Sequence, residues 1–169
     1  RFNELYGWDS FFIILGLLQD GQDALARDII EYQIYEVEHY GAVLNANRSY
    51  YLTRSQPPLL TSSVLACMSR MPEGKARTAW LRRAVGAAIR EYHDVWMHED
   101  HLLPIGLSRY HDRGKGIPPE VEPGHFDTVM KEAASRLGME AGDLERGYRR
   151  GEIHDAALDQ YFEHDRAMR

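Results

Sequence analysis

An all-α fold is what the sequence predicts, and three observations carry it. Apolar residues recur at helical spacing in one segment after another, glycines and prolines fall between those segments, and strand signals are nearly absent. Only Val43-Leu44 and Tyr50-Tyr51-Leu52 read as extended runs, and both are too short to build a sheet.

The first helix spans Asp9 to Leu18, is apolar nearly all round, and is stopped by Asp20-Gly21. From Gln22 the set Ala26, Ile29, Ile30, Ile34 and Val37 lies on one helix face, and Gly41 ends it. At the α-helical rise, a helix over Gln22–Tyr40 is about 28 Å long. Pro57-Pro58 opens a third helix, with Leu60, Val64, Cys67, Met68 and Met71 on its face and Pro72-Glu73-Gly74 after it. A fourth carries Leu81, Ala84, Val85, Ala88, Tyr92, Val95 and Trp96 as its stripe. An irregular stretch with four prolines runs from His98 to Gly124. Phe126, Val129, Met130, Ala133, Ala134 and Leu137 then form a fifth stripe, closed by Gly138, and Asp143–Arg150 and Ile153–Arg166 read as two further helices. Helices paired through tight glycine turns suit a helical toroid or an ordinary bundle. The two long loops, Asn45–Pro58 and His98–Gly124, are of a length that usually serves function.

The 169 residues suffice for one domain with a real core. A net charge of −6, with no basic face, argues against a nucleic-acid partner. The longest apolar run, Phe11 to Leu18, is too short to cross a bilayer, so no membrane partner is expected. The single cysteine, Cys67, excludes an internal disulfide and fits a reducing, cytoplasmic compartment; it sits on an apolar helix face and reads as core.

Two segments concentrate aromatic rings among planar polar side chains: Arg1 to Phe12, and Asn45 to Pro58. Ten of the 18 aromatic residues fall within the first 60 positions. A sugar ring needs this mixture, because its CH face packs on Trp and Tyr while Arg, Asn, Asp and Gln fix its hydroxyl rim. The same residues would also serve as helix ends tied down by polar contacts, and Asp9 stands where an N-cap could. The eight histidines form no metal-binding pattern, so they read as loop and surface residues, and neither a metal nor any other cofactor is expected. Glu120, Glu122 and Asp127 precede a helix and suit its dipole. Arg77, Arg82, Arg83 and Arg90 read as a solvated helix face.

The first segment, Arg1-Phe2-Asn3-Glu4-Leu5-Tyr6-Gly7-Trp8-Asp9-Ser10-Phe11-Phe12, resembles the trehalase signature. The second, Asn45-Ala46-Asn47-Arg48-Ser49-Tyr50-Tyr51-Leu52-Thr53-Arg54-Ser55-Gln56-Pro57-Pro58, is similar to a second block of that family, in the family's order. A looser similarity continues through Glu91–Met97 and Arg109-Tyr110. The resemblance implies an (α/α)6 toroid, of the six-hairpin glycosidase type, and inverting hydrolysis of the α-glucosidic bond of α,α-trehalose. It implies that Arg1, Phe2, Trp8, Asp9, Asn45, Arg54, Ser55 and Gln56 bind a small sugar substrate. Trp8 and Asp9 would grip the sugar in the deepest subsite, and Arg54 and Gln56 would hold hydroxyls.

A third family block, Arg-Pro-Glu, falls on Pro118-Pro119-Glu120, so Glu120 is kept as a substrate-binding residue and the arginine is replaced by Pro118. The run from Gly106 to Asp112, with Gly116 to Glu120, resembles the glucosylglycerate and mannosylglycerate hydrolases of the same clan. That activity stays open beside trehalose hydrolysis, as does a non-catalytic carbohydrate-binding helical module. The family's general acid and general base lie in blocks this chain does not contain, the acid being expected just after Arg169. Twelve helices with their connections need about 400 residues. Residues 1–169 are therefore expected to be a single domain that is a fragment of a larger (α/α)6 catalytic domain, supplying sugar-binding residues and inactive alone. Its cut edge would expose apolar helix faces, from which self-association is expected.

Overall fold

The structure, a computed structural model, describes residues 3–168 and is all-helical, with isolated bridges in place of strands. It comprises two compact units, one ending at His111 and one beginning at Asp112.

The first unit holds α1 (Gly7–Gln19), α2 (Asp23–Tyr40), α3 (Leu60–Met68) and α4 (Lys75–Glu91). Two helical hairpins, α1–α2 and α3–α4, lie side by side: α1 packs on α3, and α2 packs on both α3 and α4. Ile14 and Leu18 of α1, Ile30 and Ile34 of α2, Val64 of α3 and Trp80 of α4 meet in one buried core. Gly41 ends α2 in the left-handed conformation (φ 86°), donating its N–H to Val37 O, a geometry that costs a glycine little. Cys67 is 1% exposed and burial raises its thiol pKa, which suits a structural cysteine.

The core stripe of α4 differs from the expected one. Trp80, Ala84, Ala87 and Glu91 are buried, while Val85, Ile89 and Tyr92 are half-exposed. The stripe is rotated so that Trp80 joins the buried core shared with α2 and α3. The helix also ends differently, closing in a single π-helical turn, Tyr92–Trp96, in which Met97 N–H reaches back to Tyr92 O. Arg83 is not merely solvated; it bridges to Glu31 at 2.5 Å and Glu38 at 2.7 Å on α2. Exposed pairs contribute modestly, so Arg83→Ala is expected to lower stability by about 1 kcal/mol or less, read by chemical denaturation of the full-length protein.

The second unit holds α5 (Asp127–Leu137), α6 (Ala141–Arg149) and α7 (Ala156–Met168). Phe162 is fully buried, with its ring edge-on to Phe126 at 4.9 Å and beside Tyr148 at 5.7 Å. Leu144, Leu158 and Met130 complete this core. The last helix starts three residues later than its apolar pattern suggested, because Asp155 caps it: Asp155 accepts Leu158 N–H at 2.9 Å and pairs with Arg136 at 2.8 Å. That pairing holds the Asp155 carboxyl below its usual range.

Candidate functional site

The two aromatic, polar segments are docked on each other in the first unit. The stretch before α1 runs antiparallel to the start of the second loop, with a bridge between Tyr6 and Ala46. Asn47 N–H donates to Leu5 O at 3.2 Å, and Leu5 N–H donates to Asn47 Oδ1 at 2.9 Å. The loop then folds back on itself through a bridge between Leu44 and Ser55. Asn45 N–H donates to Arg54 O at 2.9 Å and Gln56 N–H to Val43 O at 3.2 Å.

At the junction, Gly7 N–H donates to Asn45 O at 3.2 Å, and Trp8 N–H donates to Gln56 Oε1 at 3.0 Å. Gln56 Nε2 donates in turn to Asn45 Oδ1. From beneath, Gln33 of α2 donates to Gly7 O at 3.3 Å. Gly7 is required here by space: a Cβ would lie 2.9 Å from both Gln56 Cγ and Val43 Cγ1. We expect Gly7→Ala to push the loop from the start of α1 and to destabilise the protein by about 1–3 kcal/mol, read by chemical denaturation of the full-length protein.

Glu4 ties the outer rim of the docked segments. Its carboxylate accepts Tyr6 OH at 2.8 Å and Tyr50 OH at 2.9 Å, and Arg48 Nε lies 3.1 Å away. These partners, Tyr6 foremost, lower the Glu4 pKa. Arg48 also reaches Asn3 Oδ1 at 2.7 Å.

Of the residues expected to bind sugar, Trp8, Asn45 and Gln56 are directly linked, and Asn45 joins Arg54 through the backbone. Arg54 is 7% exposed, its guanidinium 5.5 Å from the Tyr51 ring centroid, a cation–π distance. The Ser55 hydroxyl is buried without a protein hydrogen bond. Trp8 and Asp9 point their side chains to solvent, Trp8 being 47% exposed. Asp9 is not an N-cap: Tyr6 occupies that position, and Asp9 lies in the first turn of α1. Glu120 belongs to the second unit, partly buried on the loop before α5. Arg1 and Phe2 lie outside the described residues.

Chemically, an exposed indole, a free carboxylate beside it and an amide network behind it offer what a sugar ring requires. Gln56 spends much of its amide on Trp8 and Asn45, so its larger part is to hold these two in register. His101 lies on the long loop, as one of the loop or surface histidines expected, but is 2% exposed and held through Nδ1 to Arg109 O at 3.0 Å. No group of three His, Cys, Asp or Glu suited to a metal ion occurs among the described residues. No helix among them is long and apolar enough to cross a membrane.

Two buried carboxylates, Glu36 and Glu91, escaped the sequence reading. A signal existed: Glu36 stands seven residues after Ile29, and Glu91 seven after Ala84, so both fall on core-facing stripes.

Comparison with known proteins supplies the context. The trehalase family profile matches residues 1–169. The chain is 48% identical over 172 residues to the cytosolic neutral trehalase of Saccharomyces cerevisiae, covering 100% of this chain and 23% of that protein. The probable trehalase of Eremothecium gossypii matches at the same 48% identity and the same coverage. A solved structure of neutral trehalase Nth1 from Saccharomyces cerevisiae superposes with a TM-score of 0.91 at 47% identity, over 99% of this chain and 31% of that one. The chain thus spans less than a quarter of the length of these curated relatives.

Proposed function

Since this chain belongs to the trehalase family, and its helices match part of the trehalase (α/α)6 toroid, we propose that it supplies sugar-binding residues to an inverting glycosidase that hydrolyses α,α-trehalose to glucose. In this reading both compact units are parts of one larger catalytic domain. Trp8, Asp9, Asn45, Arg54, Ser55 and Gln56 bind one glucose unit, and Arg1, Phe2 and Glu120 are further substrate-binding residues. The indole of Trp8 packs on the CH face of the ring, and the Asp9 carboxylate takes a pair of hydroxyls. The two docked segments fix the sugar so that a general acid and a general base, both from outside this chain, straddle the anomeric carbon. In inverting enzymes that pair stands about 6.5–9.5 Å apart, leaving room for the attacking water. The contribution of this chain is orientation of the bound sugar.

The observation that carries the reading is the hydrogen-bond chain from Trp8 N–H through Gln56 to Asn45. It joins two segments 37 or more residues apart and leaves the Trp8 and Asp9 side chains outward. A cytosolic location is part of this reading and is supported by relatives named cytosolic neutral trehalases. The half-exposed apolar side chains of α1, α3 and α4, among them Phe12, Leu65 and Ile89, would be covered by the remaining helices of the toroid, or by a second copy when the chain is isolated.

Glucose release from α,α-trehalose and from glucosylglycerate by the full-length protein tests the assignment. We expect release from trehalose at a kcat/KM at least about a hundredfold higher, since a site built on hydroxyl contacts rejects a substrate that leaves them unpaired. Preference for glucosylglycerate would move the protein to the related hydrolases, and release from neither would end the glycosidase reading.

A further inference from the structure

The sugar-contacting loop rests on a pair of buried acids that the proposed reaction does not use. Glu36 of α2 is 2% exposed and Glu91 of α4 is 3% exposed. Glu36 Oε2 accepts Leu44 N–H at 3.1 Å. The neighbouring amide, that of Val43, bears on the Glu91 carboxyl and favours its charge, and Glu36 opposes it. Two helices thus present one carboxyl each to consecutive backbone amides. The next residue along is Asn45, whose carbonyl holds Gly7 N–H and whose side chain holds Gln56.

Resting on the sugar-binding reading above, we propose that Glu36 and Glu91 are positioning residues. They fix the Val43–Leu44 backbone and thereby the register of Asn45 and Gln56 against Trp8. A buried carboxyl is costly, and one apolar side chain at each position would fill the same space. What an apolar side chain would not do is accept these N–H groups, which would then be buried without partners.

Burial, the largest influence on each group, raises both acids to about 7. The groups facing Glu36 are the Tyr32 hydroxyl on its own helix and the Leu44 amide of the loop; those facing Glu91 are the Val43 amide and Glu36 itself. Among the described residues, no charged group of α1 or α3 bears on the pair. Both folded values lie above the ordinary carboxylate value of 4.5. The stabilisation from protonating the pair is therefore complete below that value and is lost as pH rises through about 7. Above it the two carboxylates repel each other beneath the loop, so grip on the sugar weakens in the same range.

The test uses the full-length protein with Glu36→Leu, Glu91→Leu and the double variant Glu36→Gln/Glu91→Gln, which keeps a carbonyl oxygen for each amide. Three readouts apply: hydrogen exchange of the segment around Val43 to Asn45, KM and kcat for trehalose, and their dependence on pH. Each Leu variant is expected to speed exchange in that segment and to raise KM about tenfold with kcat changed less than about threefold. The Gln pair is expected to keep KM within about twofold of wild type near pH 6 and to abolish the rise in KM that the wild type shows toward pH 8. Unchanged exchange in both Leu variants, or faster exchange with unchanged KM, overturns the inference while leaving trehalose hydrolysis standing. Should the Leu variants fail to fold, the Gln pair decides, and an identical pH dependence of KM in wild type and Gln pair overturns it. A wild type that releases no glucose sinks the sugar reading and the sugar part of this inference together; exchange then reports on the anchor alone.

Discussion

Replacing Arg166 by alanine is expected to destabilise the full-length protein by about 3–5 kcal/mol, the cost of removing one partner of a buried ion pair. Arg166 on α7 pairs with Asp112 at 2.7 Å, and the two side chains are 6% and 1% exposed. The same guanidinium donates through Nε to Gly116 O at 2.8 Å, and through Nη2 to Lys115 O at 3.2 Å and Ile117 O at 3.4 Å. One planar fork thus closes the turn that leads to Pro118-Pro119-Glu120. Lysine could pair with Asp112, but its single ammonium lacks the fork, so Arg166→Lys should recover only part of the loss. Removing both charges with Arg166→Met and Asp112→Leu takes away the buried carboxylate as well and still leaves three carbonyls without their donor. Its cost is therefore expected to be intermediate, with denaturant midpoints ordering wild type, double variant and Arg166→Ala. Equal midpoints for wild type and Arg166→Ala would show that the clamp contributes nothing.

The second large effect concerns function. Asp9→Ala should lower kcat/KM for trehalose by at least about tenfold, because hydrogen bonds to a charged group are worth about 1.5–3 kcal/mol each. The Asp9 side chain is exposed and sits in the positive first turn of α1. Loss of that dipole interaction costs about 0.3–1 kcal/mol, so thermal stability should hardly change. The contrast is informative, since Arg166→Ala attacks the scaffold and Asp9→Ala the grip. An Asp9→Ala protein with wild-type kinetics removes Asp9 from the site.

Much of the architecture was legible because burial and helical period coincide. The stripe from Ala26 to Val37 and its stop at Gly41 match α2, and Met130, Ala133 and Ala134 with Gly138 match α5. What could not be read depends on partners distant in the chain. The rotation of α4 follows from where Trp80 packs, the π-helical turn from Met97 reaching Tyr92, and the burial of Glu36 and Glu91 from a loop that offers amides to both. The site showed the same division. The two segments were conspicuous by composition and by resemblance, and the residues Trp8, Asn45 and Gln56 do come together. Nothing in their identities says that Gln56 turns its amide inward to Trp8 and Asn45, nor that Gly7 is the point of closest approach.

The docking of the two segments uses the main chain of Leu5, Gly7 and Trp8 on one side and, on the other, the main chain of Asn45 and Asn47 with the side chains of Asn47 and Gln56, and the Glu4–Arg48 rim closes it. A substitution at Trp8 or Asp9 therefore leaves those bonds intact. On the proposed reading, selectivity among glucosides would be retuned at these two outward positions without rebuilding the platform beneath them, which makes them the first places to engineer a changed preference.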